Sequence, residues 1–473
     1  MYEDLKLPYN EVDFIVPIHR FNFQYSYVTK ERLSFVREFI LRIVQLAPLK
    51  PHQIATYIGL DTSELKEALS DLIEKGELQI SDSGDVILTP KSEGYFEGLG
   101  KLPKSSSIME TSSTLSFEIG GFNCLGTKRI KDNWKFGVAL DVENEVIANS
   151  ESYAKSKFQR DFYYYYDKEW LKGVKSEGTE KPSIYSFDSV NKLGQDPLRL
   201  SNLFKIDLEG KPLERDDYDV LDSSSKVSDL VTKALTSNGV QNNIMEIANA
   251  MKAIGDNWTA RFFNDYSINV AAFLATRAES EVANKMPIPI IGQIYSSENW
   301  KLLMATLEEA NRDKSKSKKK NLPMLTWIAP SDSMWGKSSK LLTAIHELKN
   351  AQTTRSKQKE KLFDVQMYLP VSGSDDRFSI RRWVNEFGKD SKITKGIIEG
   401  FLGGCVEMML YEEQFVVVLY QVIKSDLLPV TMPVGFISKD RELIRKIQSL
   451  AGDYINGMKS FEKPNDLGVL GKL

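Results

Sequence analysis

The sharpest chemical pattern in the chain is Ser331-Asp332-Ser333-Met334-Trp335-Gly336-Lys337-Ser338, which lies between a strand-like run and a helix-like run. Gly-Lys-Ser at a helix start would offer an amide, an ammonium and a hydroxyl to the phosphates and Mg²⁺ of a nucleotide. Ser331 stands where such a loop has its first glycine, and the strand-like residues 414–422 contain no acid to complete the metal site. An incidental Gly-Lys-Ser outweighs a true phosphate loop. A second pattern, Asp207-Leu208-Glu209-Gly210-Lys211, has the acid-x-lysine spacing of metal-dependent nucleases, in which the acid holds Mg²⁺ and the lysine orients water. Gly210 and Pro212 make it a strand entering a turn, with only Asp141 and Glu143 nearby to complete a site. His19, His52 and His346, with the distant Cys124 and Cys405, do not form a clustered zinc-ligand set, so no catalytic residue, metal or cofactor is assigned. Two such cysteines argue against a disulfide framework and fit a reducing compartment.

Charge gives the next signal. The net charge of −3 hides an asymmetry: residues 61–97 hold ten acids against three bases, and residues 312–361 hold thirteen bases against four acids. Two such surfaces face different partners, or each other. The run from Arg312 to Lys320 contains no apolar residue and must be solvated. With Lys337, Lys340, Arg355 and Lys357 it makes a candidate polyanion surface, carried by Lys314, Lys316, Lys318, Lys319 and Lys320. Tyr163 to Tyr166 could stack bases, but a strand with two tyrosines facing the core and two facing water accounts for them.

The elements that must position these residues follow from periodicity. A helix capped at Thr29 runs to about Leu46 on the spacing of Leu33, Val36, Phe39, Ile40, Ile43 and Val44. Pro51 starts a second helix ending at Gly59, and Asp61 or Thr62 caps a third with Leu65, Ala68, Leu69, Leu72 and Ile73 inward. Leu78-Gln79-Ile80 and Val86-Ile87-Leu88 flank a glycine turn as a β-hairpin. Helix, helix, helix, hairpin resembles the winged-helix superfamily over residues 29–97. In a DNA reader of that family the third helix enters the major groove and carries lysine and arginine. Here its outward positions include Glu64, Glu67, Asp71 and Glu74, which repel phosphate, so contact with a protein partner or a second copy of the chain is the better expectation.

The Ser/Thr-rich residues 101–114 suggest a linker, and residues 115–222 a β-rich segment with strands near 115–119, 134–142, 162–166, 184–187 and 203–208. Beyond residue 223 helices and strands alternate: strands at 324–329 and 365–369, each followed by proline, a polar loop and a helix, suggest a duplicated βα unit. A hairpin at 406–422, a strand at 432–437 and a closing helix at 439–454 complete an order that loosely resembles the second half of the phospholipase-D-like fold. That family's chemistry needs a histidine nucleophile with a lysine two residues on; none of the three histidines has one, so the resemblance implies an inactive form.

The expected architecture is α+β and multidomain: a winged-helix domain at 1–100, a linker at 101–114, a β-rich segment at 115–222 and an α/β domain at 223–473. Composition, 41% hydrophobic and 27% charged, is that of a globular protein. No apolar run is long enough to span a bilayer, and Glu3 and Asp4 stand where a signal peptide has positive charge, so a cytoplasmic location is expected. The leading functional expectation is a non-enzymatic, nucleic-acid-associated subunit of a multi-protein machine, antiviral defence among the settings such layouts serve. The alternatives are a ligand-responsive winged-helix regulator of transcription, and an enzyme: an NTPase using Lys337 and Ser338 or a nuclease using Glu209 and Lys211.

Overall fold

A 25-residue strand, β1 (Leu7–Glu31), opens the fold. Phe21, Phe23, Tyr25 and Tyr27 alternate inward along its second half, and all four are buried. In this computed structural model the described residues are 6–473 apart from 32, 100, 132–135, 176–180, 222–223, 238–241, 264–267, 283–285, 315–321, 356–357, 425–426 and 458–463. The chain divides into two units, each assembled from separated segments: Ile18–Arg129 with Glu143–Gln195, and Met1–Pro17 with Ile130–Val142 and Asp196–Leu473.

In the first of these units, α1 (Phe35–Leu46), α2 (Pro51–Ile58) and α3 (Thr62–Glu74) are followed by the hairpin β2 (Leu78–Ile80) and β3 (Val86–Leu88) and a short helix α4 (Pro90–Glu93). Ile40, Leu41, Val44, Ile54, Leu65, Leu69, Leu72, Leu78 and Val86 form its small core. The expected helix–helix–helix–hairpin order is present, with one correction. The first helix begins at Phe35, not after Thr29, because Thr29 belongs to β1 and pairs with Ser107. That partner lies in β4 (Ser105–Glu118), so most of the expected linker at 101–114 is an antiparallel strand against β1.

Three further corrections concern the middle of the chain. Of the strand expected at 134–142, only β5 (Val138–Ala139) forms among the described residues, parallel to Phe14 and Ile15 of β1, which belong to the same unit as β5. Helices α5 (Asn144–Ala148), α6 (Ser150–Arg160) and α7 (Phe162–Asp167) then replace the tyrosine strand. Phe158, Phe162 and Tyr165 recur at four and three residues and are buried, while Tyr163 and Tyr164 are exposed. Phe158 stacks on Phe23 with ring centroids 4.3 Å apart, which draws that helical face onto β1. The two strands expected at 184–187 and 203–208 are parts of one strand, β6 (Ser183–Ile206), which pairs with β1.

The second unit contains helices α8 (Ser225–Ser237), α9 (Ile244–Ile254), α10 (Asn257–Ala260) and α11 (Val270–Val282). Next come β7 (Ile288–Ile291), α12 (Ser297–Lys314), β8 (Met324–Ile328), α13 (Ser339–Asn350) and the hairpin β9 (Gln352–Arg355) with β10 (Gln358–Lys361). The series ends with β11 (Asp364–Val371), α14 (Arg377–Phe387), β12 (Thr394–Ile398), β13 (Val406–Tyr411), β14 (Phe415–Val422), β15 (Met432–Ser438), α15 (Arg441–Asn456) and β16 (Asp466–Val469). Eight strands make one sheet in the order β16-β12-β11-β8-β13-β14-β15-β7. β8, β11 and β12 are parallel, so the repeated βα layout is a βαβαβ run with α13 and α14 as crossovers. β13, β14 and β15 are buried throughout, as a sheet covered on both faces requires. The whole is a mixed α/β, multi-sheet architecture, and among the described residues no helix is long and apolar enough to cross a membrane.

Candidate functional site

The Gly336-Lys337-Ser338 segment joins β8 to α13, where a phosphate loop would sit, but its polar groups are taken by the chain itself. Lys337 is buried and its Nζ pairs with Glu386 of α14, 5.5 Å from the centre of the Trp383 ring. Burial lowers its pKa below the ordinary lysine value, with Glu386 opposing the shift. Ser338 Oγ donates to Glu11 Oε1 at 3.1 Å and caps α13 by accepting from the Lys340 amide. The Ser339 amide, which a phosphate oxygen would need, donates to Asp13 Oδ2 at 2.8 Å. Asp13 also accepts from Arg199 at 3.0 Å and Ser201 at 2.5 Å. An internal carboxylate thus fills the anion position, and the motif is the fastening for the first half of β1.

The burial of Lys337 also removes it from the expected polyanion surface. Lys340, which is partly exposed, is held 2.5 Å from Glu11. The other described cations of residues 312–361 that show a partner are similarly matched: Arg312 with Glu308, Lys349 with Asp390 and Lys361 with Asp364. Lys314 ends α12 and Arg355 ends β9. Lys316, Lys318, Lys319, Lys320 and Lys357 lie outside the described residues.

The acidic face of α3 is assembled as its spacing predicts. Leu65, Leu69 and Leu72 point into the core, which leaves Glu64, Glu67, Asp71 and Glu74 exposed. Asp61 accepts from the Glu64 amide at 2.8 Å and Glu64 returns a bond from the Asp61 amide at 3.0 Å, fixing the first turn. Asp71 pairs with Lys75 at 2.7 Å. Glu77, counted with the acidic surface by composition, is buried instead: Arg37 pairs with its carboxylate and Tyr95 donates to it at 2.9 Å.

The nuclease pattern does not assemble. Glu209 and Lys211 pair with each other at 2.6 Å on the surface, and Asp207 Oδ1 accepts the amides of Glu209 and Lys211, as in a tight polar turn. Asp141 is exposed beside Lys233. Among the described residues no group of three His, Cys, Asp or Glu side chains is placed to hold a metal. His19 is buried between Ser150 Oγ (3.1 Å) and Lys192 Nζ (2.9 Å), and burial lowers its pKa to about 4, so it is a neutral acceptor at pH 7. Burial pushes the Cys124 and Cys405 thiols up to about 12 and about 11, which keeps both protonated.

One group escaped sequence reasoning. Glu407 on β13 is fully buried in the sheet, where Trp327 Nε1 donates to it at 2.9 Å and Gln421 Nε2 at 3.3 Å. Burial raises its pKa to about 7, with the Asp332 carboxylate adding to the rise. Asp332, itself raised by burial, accepts from Thr431 Oγ1 at 2.6 Å and the Met334 amide at 2.9 Å. A lone acid in Val406–Tyr411, a run otherwise apolar, was the available signal.

No protein-family model and no curated protein matches the chain. Among solved structures it is similar to a phospholipase D family member, NUC from Salmonella typhimurium, with 11% identity and a TM-score of 0.23 over 39% of this chain and 99% of that one. A likeness at that score fixes neither the fold of this chain nor its chemistry.

Proposed function

We propose that this protein is a non-catalytic, nucleic-acid-associated subunit of a larger assembly, whose N-terminal helices and hairpin form a winged-helix module that docks on a protein partner. The carrying observation is the acidic outward face of α3: Glu64, Glu67, Asp71 and Glu74 stand exposed where a reader of DNA needs cations. Such a face suits a lysine- and arginine-rich protein surface. The enzyme alternatives lose their support because Lys337, Ser338, Glu209 and Lys211 are all engaged within the chain. Contact with nucleic acid is assigned to the C-terminal unit, including the lysine-rich residues 314–320. Antiviral defence is one setting for such an assembly and rests on analogy of layout.

Copurification from the source cells tests the protein contact. Glu64→Lys/Glu67→Lys/Asp71→Lys should release the partner retained by the unaltered chain, while partner retention by that triple variant counts against the docking role. Filter binding at rising salt tests the second half. No affinity for DNA or RNA at low salt removes it.

A further inference from the structure

Residues 312–361 are dense in positive charge, yet among the described cations there the available ones are fewer than the sequence implies. Lys337, Lys340, Lys349 and Lys361 each hold a carboxylate. The C-terminal unit does present unpaired cations on α14 and the 3-10 segment that follows it, Gly388–Ile393. Arg377, Arg381, Lys389 and Lys392 are exposed, and none makes an ion pair among the described residues.

The helix is locked in rotation by its buried side. Ile380, Trp383 and Phe387 enter the core, and Trp383 Nε1 donates to the Pro370 carbonyl at 3.1 Å. With 100° between successive residues, Phe378, Arg381 and Asn385 must then face outward, with Arg377 at the edge of that stripe. Phe378 is 78% exposed, the highest exposure among the described large hydrophobic residues. Asp375 and Asp376 precede the helix in sequence, at its N-terminal end. Asp376 is engaged in capping, accepting from the Ser379 amide at 3.0 Å and from Ser372 Oγ at 3.0 Å. Glu386 is turned to Lys337.

From this arrangement we infer that the outer face of α14, with Phe378 and Arg381 on it, Arg377 at its edge, and Lys389 and Lys392 in the 3-10 segment that follows, binds single-stranded nucleic acid. The inference rests on the proposed nucleic-acid association and names the surface and strand form that carry it. The cations neutralise backbone phosphates; a bare aromatic ring between them offers a stacking face for a base. A duplex hides its base faces in the stack, so Phe378 is useful only against an unpaired strand.

Fluorescence anisotropy of the full chain with a labelled oligonucleotide of about 20 nucleotides, single-stranded or duplex, tests it across a salt series. Arg377→Gln/Arg381→Gln should weaken single-strand binding and lower the slope of log affinity on log salt by about 1.4, two phosphate contacts at about 0.7 each. Phe378→Ala should weaken single-strand binding about ten-fold with the salt slope unchanged, and Phe378→Tyr should restore it. Melting temperatures identify any variant that misfolds, and Phe378→Tyr gives a readout that folding alone does not mimic. Unchanged binding by all three α14 variants, with binding lost when Lys314, Lys316, Lys318, Lys319 and Lys320 become glutamine, overturns this surface and leaves the broader function standing. Binding of duplex alone by the unaltered chain overturns the single-strand surface and leaves the broader function standing, and absence of binding to both strand forms at low salt overturns both.

Discussion

Two buried charges decide how single substitutions should be interpreted. Lys337 and Glu386 neutralise each other out of water, so Lys337→Ala strands a buried carboxylate and should cost about 3 kcal/mol, as removing one partner of a buried pair does. Loss of any activity in that variant would reflect stability. Lys337→Met/Glu386→Leu should recover most of the melting temperature, and failure to do so would show that the pair has a role beyond mutual neutralisation. Glu407 gives a pH signature. Its folded pKa, raised to about 7, exceeds the ordinary glutamate value near 4.3, so ionisation opposes folding. The penalty is absent below the unfolded pKa, grows through the interval between the two values and is complete above the folded one. Glu407→Gln should therefore match the unaltered chain at pH 4 and exceed it by up to about 3 kcal/mol at pH 8, read by chemical denaturation. A constant difference across that range would remove the assignment.

At the scale of elements, the C-terminal strands and crossover helices were legible because their signals are local. Runs such as Val406–Tyr411 and Phe415–Val422 are continuous apolar stretches bounded by a turn, which a sheet buried on both faces demands. The N-terminal helices were legible for the same reason, through three-and-four spacing and, for α2 and α3, the Pro51 start and the Asp61 cap, whereas the cap expected at Thr29 was not one. β4 was not, because Ser105 to Thr114 has no pattern of its own; its order comes from pairing with the aromatic strand β1, in register from Glu31↔Ser105 to Asn22↔Thr114 and so distant in sequence. β1 did carry a signal in Phe21, Phe23, Tyr25 and Tyr27, a period-two run that the three-and-four spacing after it obscured. Two substitutions probe these elements. Asp61→Ala breaks the reciprocal cap of α3 and should cost about 1 kcal/mol in thermal unfolding. Gly435→Ala would place a Cβ 1.8 Å from the Val418 carbonyl oxygen, so β14 and β15 must part and the loss should be on the order of 3 kcal/mol or more.

Over the whole molecule, domain boundaries expected from composition cut through units that the chain builds from separated pieces. The segment Met1–Pro17 belongs with Asp196–Leu473, where Asn10, Glu11 and Asp13 satisfy Thr431, Gln293, Ser338, Lys340 and Arg199. A fragment of residues 223–473 loses Arg199 and all three of those N-terminal partners, leaving Gln293, Ser338 and the Ser339 amide without them. It should melt well below the full chain and expose apolar surface by dye binding; cooperative unfolding at the full-chain temperature would show that the N-terminal strand is dispensable. From sequence alone came what depends on near neighbours: helix faces, caps, the apolar runs of the sheet, the acidic stripe of α3 and the missing His-x-Lys. Tertiary structure alone decided which strands pair, that Ser/Thr-rich residues form one of them, that Lys337 is spent on Glu386, and that Asp13 fills the anion position before α13. Periodicity is written in a few consecutive residues, whereas burial and ion pairing depend on which distant segment arrives alongside, and that is settled only when the chain closes on itself.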